Sequence, residues 1–123
     1  MSESGSPPVL LLVDDEERIL SALRRTLRRE GFEILTAESV AEGLRILGSR
    51  KVDLVLTDQK MPGMSGLEFL AQVAARYPDV ARLLITGWPE EIPPDQIELL
   101  GIRALIPKPW DDQQLRSALR ENS

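Results

Sequence analysis

The sequence has no histidine and no cysteine in 123 residues. Without cysteine it forms neither a disulfide framework nor a thiolate zinc site, and without histidine it cannot carry Ser-His or Cys-His catalysis. Basic residues are also in deficit, since fifteen lysines and arginines stand against twenty aspartates and glutamates. A net negative chain is a poor match for a phosphate backbone, so we predict no direct nucleic-acid ligand. Carboxylates, lysine, threonine and a bound metal remain as candidates for chemistry.

Long apolar runs are missing as well, because no stretch of the sequence is long enough to cross a bilayer. The first residues are polar and lack a basic start, which is not typical of a signal peptide. We therefore predict a cytoplasmic protein without a membrane partner. The length fits one domain with a single core. We expect residues 1–8 to be a disordered lead-in and residues 9–121 to form that domain.

Five short apolar segments alternate along the chain with five segments of helical periodicity. The predicted strands begin at Val9, Phe32, Val52, Arg82 and Ala104, and the predicted helices cover about 16–30, 40–47, 66–77, 94–100 and 112–119. This alternation predicts an α/β fold, with a doubly wound parallel sheet and right-handed crossover helices on both faces.

Several helix ends are marked by particular residues. Gly31 and Gly48 are predicted to stop the first two helices. Ser-x-x-Glu motifs beginning at Ser39 and Ser65 predict capping boxes at the second and third helices. We expect the third helix to bury a stripe formed by Leu67, Leu70 and Ala74, and the fourth helix to be short because prolines confine it.

Polar residues stand where four of the five predicted strands end. Asp14 and Asp15 follow the first strand, Asp58 the third, Thr86 the fourth and Lys108 the fifth. The carboxyl ends of parallel strands meet at one edge of a sheet, so these side chains are predicted to lie together. A cluster of carboxylates without histidine or cysteine suits Mg²⁺, which prefers oxygen ligands and keeps several waters.

These groups match the needs of phosphoryl transfer. Lys108 supplies a positive charge and Thr86 a hydroxyl, while the central Asp58 can act as a nucleophile and become an aspartyl phosphate. Taken alone, Asp58 is more typical of a residue that caps a turn, and acids after the first strand are equally typical of a helix start. The combination of all five favours the chemical role.

In these motifs the chain resembles the receiver domain of two-component response regulators, within the superfamily of chemotaxis regulators. The resemblance covers nearly the whole sequence and rests on Asp14-Asp15, Asp58 with the turn Met61-Pro62-Gly63 and Gly66, Thr86-Gly87, and Lys108-Pro109. It implies a flavodoxin-like (β/α)5 fold with five parallel strands in the order 2-1-3-4-5. It also implies a phosphorylatable signalling switch rather than an enzyme that acts on an external substrate.

The resemblance assigns a metal and a phosphoacceptor. Asp58 would take a phosphoryl group from a histidine kinase or a histidine phosphotransfer protein. Asp15 and Asp58 would bind Mg²⁺ directly, Asp14 mainly through a water molecule, and Lys60 through its backbone carbonyl oxygen.

Other residues would sense the phosphoryl group. Lys108 would bind it and pair with Asp58 beforehand, with a cis peptide bond to Pro109. Thr86 would move toward it and shift an existing equilibrium on the face formed by helix four, strand five and helix five. An unknown downstream effector, attached or separate, would read this face, which is also where such domains form homodimers.

Three positions depart from the family pattern or vary within it. Leu105 stands where many receivers carry an aromatic residue that turns inward with the threonine. Trp88 and Lys60 occupy positions that influence how fast the acyl phosphate hydrolyses in the family. We hypothesise that bulky Trp88 shields the phosphate from water; an exposed tryptophan without a kinetic role is the alternative.

Two other functions stay open. Leu105 and the proline-rich fourth helix are compatible with a pseudo-receiver that binds partners without phosphorylation. A Mg²⁺-dependent phosphohydrolase is less favoured, because Lys60 stands where such an enzyme needs a second acid. The arginine-rich first helix is either a solvated face or a docking surface for the phosphodonor.

Overall fold

The computed structural model describes residues 6–123 as one parallel sheet flanked by helices. The strands are β1 (Val9–Val13), β2 (Glu33–Ala37), β3 (Leu54–Asp58), β4 (Ala81–Thr86) and β5 (Ile102–Pro107), and the helices are α1 (Glu17–Leu27), α2 (Val40–Ser49), α3 (Gly66–Arg76), α4 (Pro94–Leu99) and α5 (Asp112–Glu121). The spatial order is β2-β1-β3-β4-β5, with every pair parallel. The predicted fold class and strand order are therefore confirmed. Residues 1–5 of the predicted lead-in lie outside the described residues.

The central strands are buried on both faces of the sheet, as their continuous apolar runs predict. Alternate residues of β1 enter two different cores. Leu10 and Leu12 pack against α1 and α5, in a cluster that includes Leu20, Leu23, Leu115 and Leu119. Leu11 and Val13 pack against α2 and α3, in a cluster that includes Leu47, Phe69, Leu70 and Val73.

Some predicted helix boundaries are wrong. The prediction that Gly48 stops α2 is wrong, because the helix continues to Ser49 and is followed by Arg50, whose backbone is extended. Gly48 is not among the glycines with positive φ, the conformation in which glycine usually ends a helix. Gly31 does have that conformation, with φ of 87°. However, α1 itself ends at Leu27, three residues before the predicted end.

The two predicted capping boxes differ. Ser65 and Glu68 form a complete box at α3, with reciprocal bonds of 3.1 and 2.9 Å. At α2, the Ser39 hydroxyl accepts from the backbone N–H of Glu42, but the Glu42 carboxylate accepts from Glu38 instead of Ser39. Only half of the predicted box is therefore present at α2.

The predicted stripe of α3 is also only partly right. The buried residues are Gly66, Phe69, Leu70 and Val73, whereas Leu67 and Ala74 are half-buried. Both sets have helical spacing, so periodicity alone does not separate them. The short α4 is confirmed, and a 3₁₀ helix that was not predicted, Pro89–Glu91, precedes it. Within residues 6–123, no helix is long and apolar enough to span a membrane.

Candidate functional site

The carboxyl edge of the sheet brings the predicted polar residues together. Strand β3 ends on Asp58, which lies opposite Ile85 of β4, and Thr86 lies opposite Pro107 of β5. Asp14 directly follows β1, and its backbone N–H donates to the carbonyl oxygen of Ala37 in β2. Parallel pairing therefore places the ends of β1, β3, β4 and β5 beside one another.

Three carboxylates form the floor of this site. Asp14 and Asp58 are buried, with 1% and 6% of their surface exposed, and Asp15 is exposed. One carboxylate oxygen from each of the three lies within 4.8 Å of the others. Asp14 Oδ1 accepts a hydrogen bond from the backbone N–H of Glu16, two residues farther along the chain, at 2.9 Å. Because Asp15 is exposed, the cluster is open to solvent on the side where Asp15 lies.

Lys108 provides the cation of the site. Its Nζ lies 2.9 Å from Asp58 Oδ1 and 3.1 Å from Asp14 Oδ2, so one ammonium bridges two buried carboxylates. Its backbone N–H donates to the carbonyl oxygen of Thr86 at 2.8 Å, which ties the β5 end to β4. The Lys108–Pro109 peptide bond is cis, as the resemblance implies.

Charge at the site is not balanced by the protein alone. Burial raises the pKa of the Asp14 carboxyl, and repulsion from Asp58 raises it further. The hydrogen bond from the Glu16 N–H and the attraction of Lys108 lower this pKa, but they offset the increase only in part. Burial lowers the pKa of the Lys108 ammonium, but its hydrogen bonds to and attraction by Asp58 and Asp14 outweigh this, so that pKa is raised. Three carboxylates face one ammonium, and a divalent cation with oxygen ligands would neutralise the remainder. The donor set therefore fits Mg²⁺.

Thr86 is buried, and its hydroxyl oxygen accepts from the backbone N–H of Trp88 at 3.1 Å. The hydroxyl is thus held against the loop that follows β4. Leu105, which replaces the aromatic residue of the family pattern, is half-buried in β5 and packs against the α2–α3 core. An inward rotation of an aromatic ring cannot accompany Thr86 here.

The loop after Asp58 is held in place by Gln59, which the sequence analysis did not single out, and by Gly66. The backbone N–H of Gln59 donates to Ile85, and its side-chain Oε1 accepts from the N–H of Leu67 in the first turn of α3. A Cβ built on Gly66 overlaps the backbone carbonyl oxygen of Asp58 and approaches Leu84 Cδ1 to 2.9 Å. Glycine at this position therefore lets α3 begin directly against the phosphoacceptor candidate.

Lys60 and Trp88 meet at the rim of the site. The Lys60 ammonium lies 4.1 Å from the centre of the Trp88 ring, a cation–π contact, and 3.5 Å from Glu91 Oε1. Trp88 is 47% exposed. Glu91, in the 3₁₀ helix, was not identified from the sequence, because no motif or spacing connects it with Lys60.

The chain is similar to known proteins in both sequence and structure. Residues 10–120 match the family model described as response regulator receiver domain. The hydrogenase transcriptional regulatory protein HoxA of Cupriavidus necator is 39% identical over 119 residues, which cover 96% of this chain and 24% of HoxA. The chain spans about a quarter of the length of the transcriptional regulators it matches in this way.

Solved structures give the same result. The signal receiver domain of an HD domain-containing protein from Pseudomonas fluorescens Pf-5 superposes with a TM-score of 0.89 at 37% identity, and 94% of each chain is covered. The response regulator TrrA of Thermotoga maritima, solved in complex with Mg²⁺-BeF, has a TM-score of 0.83 at 28% identity, with 94% of this chain and 99% of TrrA covered.

Proposed function

The chain belongs to the response regulator receiver domain family, and on that premise we propose that Asp58 accepts a phosphoryl group in a Mg²⁺-dependent reaction. The observation that carries the proposal is the contact between Asp58 and Lys108 at 2.9 Å inside a cluster of three carboxylates. Lys108 orients the acceptor oxygen and offsets the charge that a phosphoryl group brings. Thr86 and Lys108 are the proposed phosphoryl-binding residues.

The transfer follows from these positions. An oxygen of the Asp58 carboxylate attacks phosphorus, the bond from phosphorus to the donor atom breaks, and the donor leaves with the electron pair. Asp14, Asp15, Asp58 and the Lys60 carbonyl oxygen are the proposed metal ligands. When bound, Mg²⁺ supplies positive charge to the phosphoryl oxygens. The Lys108 ammonium then donates hydrogen bonds to a phosphoryl oxygen as well as to Asp58.

We propose that the donor is a histidine kinase or a histidine phosphotransfer protein. The acceptor role makes the domain a signalling module and not an enzyme with an external substrate. Thr86 would move so that its hydroxyl donates a hydrogen bond to a phosphoryl oxygen, and this movement would alter the neighbouring α4 and β5. A downstream effector, a homodimer on that face and a cytoplasmic location remain predictions.

The experiment that tests this function is intact-mass spectrometry after incubation with acetyl phosphate. With Mg²⁺ present, we expect one phosphoryl adduct per chain. With excess chelator the adduct is expected to disappear, because the three carboxylates then outnumber the one ammonium and repel the incoming anion. Thermal unfolding followed with and without Mg²⁺ is the control for metal binding. Metal binding without any adduct would contradict the proposal and favour a phosphorylation-independent binding module.

Trp88→Ala is expected to shorten the lifetime of the aspartyl phosphate by about threefold, because the ring covers Lys60 at the rim and keeps water from the phosphorus. The lifetime is measured by the decay of the adduct mass after the donor is removed. Leu99→Ala is the matched control, since among residues 6–123 it removes the other large exposed apolar side chain, at the end of α4. Equal lifetimes for Trp88→Ala and the wild type would mean that Trp88 has no shielding role.

A further inference from the structure

A groove between α1 and α5 concentrates positive charge on this otherwise acidic chain. Arginines line it from the end of α1, from the turn that follows α1 and from α5: Arg25, Arg28, Arg29, Arg116 and Arg120, with Glu30 as the one carboxylate among them. We call this feature the basic groove. None of its residues belongs to the site at the carboxyl edge of the sheet.

The basic groove lies away from the proposed phosphoacceptor. Helix α1 starts at Glu17, beside the carboxyl edge of the sheet, and runs toward the opposite edge. With a rise of about 1.5 Å per residue, Arg28 lies roughly 15 Å farther along than the start of the helix. Arg120 occupies the corresponding end of α5. The groove therefore needs an explanation other than phosphoryl chemistry.

The arginines of the groove differ in how they are paired. Glu30 contacts Arg116 at 3.8 Å and Arg120 at 3.2 Å, and Arg116 Nε also donates to the Thr26 carbonyl oxygen at 3.2 Å. These bonds hold the α5 side in place. Within residues 6–123, the exposed Arg28 and Arg29 make no ion pair. The α1 side is therefore free to bind an anion.

Positive charge is crowded at the end of α1. Arg24 and Arg25 lie in the last turn of the helix, where the helix dipole favours cations, and Arg28 and Arg29 follow directly after it. Like charges this close together repel one another. A ligand that brings negative charge would remove this repulsion.

We propose that the basic groove is a docking site for an acidic protein segment, a stretch rich in glutamate or aspartate on a partner protein. Guanidinium groups pair with carboxylates through two parallel hydrogen bonds, and the exposed guanidinium groups of Arg28 and Arg29 are suited to such pairs. The binding does not depend on Asp58, so it stands apart from the proposed phosphorylation.

Two other anionic partners fit the groove less well. Nucleic acid binding commonly uses aromatic side chains to stack bases, and no aromatic residue lines the groove. A membrane surface needs apolar anchors, but the large exposed apolar residues among those described, Trp88 and Leu99, lie outside the groove.

The test is fluorescence anisotropy with the whole chain and a short dye-labelled peptide rich in glutamate, at low and at physiological salt. Arg28→Gln/Arg29→Gln is expected to weaken binding about fivefold, the effect of losing two exposed charge contacts. Arg45→Gln/Arg103→Gln removes the same charge from two exposed arginines elsewhere and is expected to bind like the wild type. Asp58→Asn is expected to bind like the wild type as well.

Several outcomes would overturn the docking proposal. One is equal loss of affinity in the two double variants, which would make the binding a general effect of net charge. Another is tighter binding of a single-stranded oligonucleotide, or of phosphatidylserine vesicles, than of the peptide at the same salt. Those results would assign the groove to nucleic acid or to a membrane surface. A failure of the phosphorylation experiment leaves this test unchanged, because it does not use Asp58 chemistry.

Discussion

Asp58→Asn is expected to abolish phosphoryl incorporation, lowering the adduct measured after acetyl phosphate and Mg²⁺ treatment at least about a hundredfold. The amide cannot attack phosphorus as the carboxylate does. Its size is almost unchanged, so the side chain still fills the buried place at the end of β3. Lys108 keeps its contact with Asp14 at 3.1 Å, and the charge repulsion between Asp14 and position 58 is lost. The variant should therefore fold.

The control for this experiment is Asp95→Asn, which makes the same chemical change at an exposed position in α4. It should be phosphorylated like the wild type. Peptide mapping of the adduct distinguishes the remaining possibilities. An adduct that persists in Asp58→Asn, located on Asp14 or Asp15, would show that the wrong carboxylate was assigned. Turnover of a generic phosphate ester by the wild type, lost in Asp58→Asn, would support the phosphohydrolase reading.

Gly66→Ala is expected to destabilise the protein by about 3 kcal/mol, the size of effect seen when a core position is overpacked. The added Cβ would overlap the Asp58 carbonyl oxygen, which belongs to the backbone and cannot rotate away. Either α3 shifts outward or the end of β3 moves. Both shifts disturb the position of Asp58, so slower phosphorylation should accompany the loss of stability. Urea unfolding followed by circular dichroism measures the change.

Gly48→Ala is the matched control for that substitution. Gly48 also lies in a helix, but a Cβ there would meet only the Tyr77 hydroxyl, at an ordinary distance of 3.5 Å. Alanine favours a helix over glycine, so this variant should be more stable by about 0.5 kcal/mol. If Gly66→Ala were as stable as Gly48→Ala, the close approach of α3 to Asp58 would not be real.

Short-range features of the sequence were enough to predict the elements of the fold. The apolar run from Val9 to Val13 predicts a strand buried on both faces, and β1 is such a strand. The prolines before and within α4 predict its short length correctly. Alternation of strands and helices, with the resemblance to receivers, leads to the observed strand order. Because parallel strands share one carboxyl edge, the sequence also predicted that Asp14, Asp58, Thr86 and Lys108 gather there.

The resemblance to receivers implied that Lys108 pairs with Asp58. Only the tertiary structure showed that the same ammonium also contacts Asp14, which lies 94 residues away in sequence. The contacts of Glu91 with Lys60 and of Gln59 with Leu67 have no sequence signal, because each depends on the path of a loop.

The buried face of α3 and the extent of α2 were likewise decided by packing. The close approach of Gly66 to Asp58 places Phe69 and Val73 on the buried face of α3. The backbone at Gly48 stays helical, so α2 extends to Ser49. The basic groove joins arginines at and just after the end of α1 with arginines of α5 that lie about ninety residues away in sequence. Local propensity and periodicity act over a few residues, so they determine elements and their order. Contacts between distant residues depend on how the packed strands and helices place their ends, and the sequence by itself does not specify this.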